Sequence, residues 1–121
     1  MKKSSVLLLI VLTAIGSTIF AARVEAGRPV EKVIHITAKK FEFTPGEITV
    51  KKGEPVAIEI TSEDVTHGFS LPDFNIRTQI KAGQVSVVRF TPDRAGQFTF
   101  TCDVFCGSGH EDMSGTLTVI D

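Results

Sequence analysis

Cys102, Cys106, His110 and Met113 stand within one short run, Cys102-Asp103-Val104-Phe105-Cys106-Gly107-Ser108-Gly109-His110-Glu111-Asp112-Met113. From residue 27 onward the chain has two Cys, three His and one Met, so this run holds four of its six soft or borderline metal donors. A merely structural loop has no reason to concentrate them. Thiolate, imidazole and thioether together favour copper over calcium, magnesium or manganese, which take hard oxygen donors. Gly107 and Gly109 separate the second Cys from His110, where their backbone freedom lets the chain turn both residues onto one centre. A further imidazole, His67, lies well upstream in Asp64-Val65-Thr66-His67-Gly68-Phe69, at a junction between strand and loop.

The elements that must bring these groups together read as strands. From residue 31 the chain runs in short alternating segments punctuated by Gly and Pro, with no convincing helical period. Candidate strands are 32–38, 47–50, 56–61, 84–90, 97–101 and 115–120, which predicts an all-β sandwich or Greek-key barrel. Pro45-Gly46, Lys52-Gly53, Ala82-Gly83 and Ala95-Gly96 each supply a residue tolerant of positive φ between strand-like runs, and the strands are expected to meet antiparallel. Phe98 and Phe100 alternate with Thr99 and Thr101, so both should face the core. With nine Phe and neither Trp nor Tyr, the aromatic residues offer packing area without a polar handle.

Lys2 and Lys3 precede an apolar run from Val6 to Ala22, and Val24-Glu25-Ala26 offers small residues for cleavage. Residues 1–26 therefore read as a secretory signal peptide, or as an N-terminal anchor if uncleaved, and 27–121 as one exported domain. On either reading the folded part is periplasmic or otherwise extracytoplasmic, and it meets a membrane only if the N-terminal segment is retained. Without residues 1–26 the chain carries 10 basic and 13 acidic residues. The basic residues are scattered, whereas a nucleic-acid surface needs them clustered to neutralise several phosphates at once.

Plainer readings of the same residues stand beside these. Cys102 and Cys106 suit a disulfide in an exported protein, and the two Cys with His67 and His110 would make a tetrahedral zinc set that leaves Met113 without a role. His35, between Ile34 and Ile36, reads as a solvent-facing strand residue. Asp103, Glu111 and Asp112 read as a solvated acidic rim able to help a cationic partner dock. Phe69, Phe74 and Phe105 suit either an apolar collar around the site or ordinary core. No Ser-His-Asp set, phosphate loop or carboxylate pair for acid-base catalysis is apparent.

The pattern Cys-x3-Cys-x3-His-x2-Met from 102 to 113, with an upstream His in Val-Thr-His-Gly-Phe, resembles the binuclear CuA site of cupredoxin-like domains in subunit II of cytochrome c oxidases and in nitrous oxide reductase. The resemblance covers about residues 31–121 and implies a cupredoxin-like Greek-key fold holding two copper ions. It implies that Cys102 and Cys106 bridge both ions, that His67 and Met113 complete one and His110 the other, and that Val104 contributes its main-chain carbonyl. Many family members have Glu where this chain has Val104, and that carboxylate helps bind a second metal at the contact with the oxidase catalytic subunit. The resemblance thus implies a one-electron carrier rather than an enzyme, serving a redox partner such as a cytochrome or a terminal oxidase or reductase. A copper chaperone or store, and a subunit of a larger oxidase complex, are the alternatives.

Overall fold

The computed structural model describes residues 30–121, and alternation of side chains sets most of its elements. β1 (Lys32–Lys39) turns Ile36 and Ala38 inward and His35 outward, β3 (Glu47–Lys51) buries Ile48 and Val50, and β4 (Val56–Ser62) buries Val56, Ile58 and Ile60. The remaining strands are β2 (Glu42–Thr44), β5 (His67–Leu71), β6 (Ile76–Ile80), β7 (Ser86–Phe90), β8 (Gly96–Thr101) and β9 (Ser114–Ile120). One-turn 3₁₀ helices occupy Pro72–Phe74 and His110–Asp112. The signal and anchor readings fall on residues 1–26, outside the described residues; among the described ones no helix is long and apolar enough to cross a membrane.

Two sheets face one another, ordered β2-β1-β4-β7 and β3-β9-β8-β5-β6, so the expected all-β sandwich is the architecture found. Two strand pairs depart from the antiparallel expectation: β1 lies parallel to β4 and β3 parallel to β9. The reason lies in the turns. Those at Pro45-Gly46, Lys52-Gly53, Ala82-Gly83 and Ala95-Gly96 all carry the chain from one sheet to the other instead of closing a hairpin. Strands that become neighbours only after the chain has left their sheet and returned are free to run the same way, and turn chemistry alone does not report it. Gly53, Gly83 and Gly96 do take positive φ, at 82°, 78° and 146°; Gly46 does not.

Three strands, β2, β5 and β6, are not among those expected from sequence. β2 has only three residues. β5 is central, paired on both sides by β6 and β8, and is buried almost throughout, which erases the polar half of the pattern. β6 does alternate, with Ile76 and Ile80 inward against exposed Arg77 and Gln79, but follows Asn75, whose left-handed φ of 54° ends the Pro72–Phe74 turn and restarts the chain as a strand.

Beneath the C-terminal loop, Phe43, Phe69 and Phe100 pack edge to face or tilted, with centroids 5.1 to 6.0 Å apart. Each is buried and contributes roughly 2–3 kcal/mol by removal from water. Phe100 is accommodated because its cross-strand partner is Gly115. A Cβ there would collide with Phe100 Cζ and Cε2 and stand 2.6 Å from the Gly46 carbonyl oxygen. Gly115→Ala should therefore destabilise the domain by about 1–3 kcal/mol through overpacking, read as a lower urea midpoint at unchanged slope; an unchanged midpoint would show that the ring has room to move.

Candidate metal centre

β5 begins at His67, and β8 ends at Thr101, one residue before Cys102. The two strands are antiparallel neighbours with Ser70 opposite Thr101, so the start of β5 stands beside the residues that leave β8. Contact is direct: the Gly68 N–H donates toward Cys102 Sγ at 3.4 Å. The loop that follows is closed at its base by the Cys102 N–H donating to the Met113 carbonyl at 3.0 Å. This closure returns Met113 to the same end of the sandwich as Cys102.

Within that frame Cys102 Sγ lies 3.8 Å from Cys106 Sγ. Beside Cys102 stand His67 Nδ1 at 3.9 Å and the Val104 carbonyl oxygen at 3.2 Å. Beside Cys106 stand His110 Nδ1 at 3.7 Å and Met113 Sδ at 3.9 Å. Ligand atoms of His67, Cys102 and Cys106 all lie within 4.8 Å of one another, a group able to hold a metal ion. The four residues His67, Cys102, Cys106 and Met113 are buried, while His110 is half-buried at the surface edge. Both cysteines are free thiols. Burial, reinforced by the neighbouring Cys102, pushes the Cys106 thiol up to about 11, so a metal taking that sulfur displaces a proton.

A carboxylate fixes the buried imidazole. Asp64 Oδ1 accepts a 2.6 Å hydrogen bond from His67 Nε2 and another of 2.6 Å from the Val65 N–H, while its Oδ2 accepts from the Lys40 N–H at 2.7 Å. An ionised carboxylate only accepts, so Nε2 carries the proton and Nδ1 keeps its lone pair, aimed toward Cys102. This is the support that metal-binding imidazoles ordinarily have.

Residues 5–119 match the family described as the cupredoxin-like domain. The chain belongs to the cupredoxin-like domain family. Over 91 residues it is 38% identical to cytochrome c oxidase subunit 2 of Thermus thermophilus, covering 75% of this chain and 67% of that subunit. Over 90 residues it is 33% identical to nitrous-oxide reductase of Pseudomonas fluorescens, covering 71% of this chain but 14% of the reductase. Among solved structures, a chain of a heme-copper terminal oxidase dimer aligns with a TM-score of 0.68 at 28% identity, covering 80% of this chain and 74% of that one. The kinship makes this an electron-transfer domain of the kind found within oxidoreductase complexes, not a catalyst on its own.

In this cupredoxin-like domain the residues singled out from sequence separate into those at the site and those elsewhere. His67, Cys102, Val104, Cys106, His110 and Met113 converge as described. His35 is exposed and pairs with Glu59 at 3.1 Å on the outer face of the other sheet. Phe74 belongs to no collar: it packs against Phe90 and Phe98 under Arg94, beyond the far end of β5 from His67. Phe69 lies in the core beneath the site, and Phe105 is 79% exposed with its ring 5.9 Å from that of His110. Of the expected acidic rim, Glu111 and Asp112 are exposed, but Asp103 is engaged by Arg77.

Two supporting residues were not foreseen. Asp64 stands three positions before His67, a spacing that could have suggested its role. Phe41, at the β1–β2 turn, lies flat against the loop: a Cβ on Gly109 would stand 2.5 Å from its ring and one on Gly107 2.9 Å. Both glycines thus serve close packing as well as turning, and only Gly107 has positive φ, at 140°.

Burial alone would raise the Asp64 carboxyl, but the Lys40 and Val65 N–H groups and the His67 ring outweigh it, leaving the group near 2. A folded value below the ordinary carboxylate range gives stability that is fully present above ~pH 4 and fades as the pH falls toward 2. Urea unfolding of the metal-free protein across that window should show this loss in the wild type and a flatter profile in Asp64→Asn. Identical profiles would mean that Asp64 ionises no more readily than in the unfolded chain.

Proposed function

We propose that this domain is an extracytoplasmic one-electron carrier whose site takes a binuclear copper centre of the CuA type. The observation that carries the reading is a pair of buried thiols 3.8 Å apart, with an imidazole nitrogen beside each. Side-by-side thiolates suit two shared ions, and the additional soft donor favours copper. A zinc site built from the Cys and His residues would leave Met113 idle, yet its sulfur is buried and 3.9 Å from Cys106 Sγ.

In this reading the thiolates of Cys102 and Cys106, the imidazoles of His67 and His110, the Met113 thioether and, as a weak donor, the Val104 carbonyl would together hold the two ions. When bound, such a pair takes up and gives back a single electron shared between the ions. The chain's own part is to keep the donors still and dry. Asp64 fixes the His67 ring, the β5–β8 pairing fixes Cys102, and Phe41 braces Gly107 and Gly109 on either side of Ser108. Little rearrangement on electron exchange then favours a fast rate. His110, half-buried beside exposed Phe105, is the one side-chain donor that is not fully buried and the natural exit toward a partner.

Kinship with cytochrome c oxidase subunit 2 supports an extracytoplasmic site of action and a redox partner such as a cytochrome or a terminal oxidase or reductase. A signal peptide at residues 1–26 would deliver the domain there. Copper titration of the purified, reduced protein should give two coppers per chain, a purple chromophore and a seven-line electron paramagnetic resonance signal from one electron shared over two nuclei. Copper should be retained against a competing chelator for hours. A single copper with a four-line signal would refute the binuclear centre, tight zinc uptake without copper would refute electron transfer, and prompt copper release would point to metal delivery.

A further inference from the structure

The Val104 carbonyl oxygen stands 3.2 Å from Cys102 Sγ, yet the Val104 side chain has no polar group with which to fix its own peptide. The preceding residue supplies what Val104 lacks. Asp103 lies across Gly68, where an added Cβ would collide with Asp103 Oδ1 and stand 3.0 Å from the Val104 nitrogen. Its other oxygen accepts a 2.5 Å hydrogen bond from Arg77 Nε. Gly68 and Arg77 belong to the β5–β6 hairpin, with Gly68 opposite Gln79 and Ser70 opposite Arg77. The carboxylate therefore sits in a slot floored by Gly68 and walled by Arg77. The same glycine donates its N–H toward Cys102 Sγ, so one residue without a side chain touches both the thiol and the carbonyl segment.

We propose that Arg77 and Asp103 are positioning residues: their ion pair, seated over Gly68, fixes the Asp103–Val104 peptide so that the Val104 carbonyl stays turned to the metal centre. The proposal rests on the two-copper reading of the site given above. It assigns to this ion pair the holding of a peptide that the apolar Val104 side chain cannot hold. The pair is a poor source of fold stability, because the Arg77 side chain is 53% exposed and that of Asp103 29%. Its charge-assisted hydrogen bond instead fixes direction. Loss of the pair should thus disturb the site far more than the fold.

The test uses the copper-loaded full chain and the variants Asp103→Asn, Arg77→Gln and the double variant. Each single variant should shift the visible bands and the copper hyperfine pattern and release copper to a chelator about tenfold faster, as is usual when a supporting residue is lost. The double variant should add little to either, because both substitutions remove one interaction. Arg77→Lys, which keeps a charged donor, should recover part of the wild-type spectrum, and thermal unfolding of the metal-free proteins should stay close to wild type. If the wild type binds two coppers while the variants keep its spectrum and release rate, or if the two losses simply add, the positioning role is refuted. Should the wild type itself fail to take two coppers per chain, the reading of the centre fails first, and this proposal with it.

Discussion

The register of β5 on β8 is the constraint on which the site depends. Ser70 opposite Thr101 brings the first residues of one strand beside the first residues after the other, so His67 and Cys102 meet although 35 positions separate them. A slip of one residue would turn His67 to the opposite face. What prevents the slip is packing: Phe69 and Phe100, on the same two strands, interlock with each other and with Phe43 of the facing sheet, and none can leave the core without losing its partners. The hydrophobic interior and the donor geometry are thus consequences of a single alignment.

A second level of control comes from backbone and carboxylate groups that surround the donors. Asp64 decides which imidazole nitrogen carries a proton, and is itself held by the Lys40 and Val65 N–H groups. Lys40 and Phe41 are adjacent at the β1–β2 turn, so one turn supports both halves of the site: Lys40 through Asp64 and His67, Phe41 through Gly107 and Gly109. The protein thereby ties the upstream histidine and the C-terminal loop to one common piece of the facing sheet, which suits a centre that must change oxidation state without moving its donors.

The five inter-sheet connections have an indirect bearing on function. Because the chain crosses between sheets after β2, β3, β4, β6 and β7, neither sheet folds as an independent meander, and each is fastened to the other by several covalent connections. The loop from Cys102 to Met113 is different: it joins two neighbours in one sheet, β8 and β9, and is anchored at its base by a backbone hydrogen bond. A long excursion from a closed base can carry unusual side chains without disturbing the sandwich beneath it.

The donor set was legible in the sequence because metal chemistry depends on residue type and close spacing: four donors inside the 102–113 run announce a soft metal site before any fold is known. The all-β class was legible as well, since alternation in strands such as β1, β3 and β8 is a local signal. Local signals failed where tertiary context removed them. β5 is buried on both faces and so shows no alternation, and parallel pairing of β1 with β4 follows from two crossings that no turn residue records. The contacts of Phe41, Arg77 and Asp103 were likewise invisible, Asp64 was hinted at only by its spacing from His67, and of the two readings open for Phe74, collar or ordinary packing, the structure chose packing. Each of these depends on which residues face one another across strands, a matter of register and packing over long sequence separation. The sequence by itself determined what could bind; the tertiary structure decided which atoms point inward, what holds them, and which nitrogen is free.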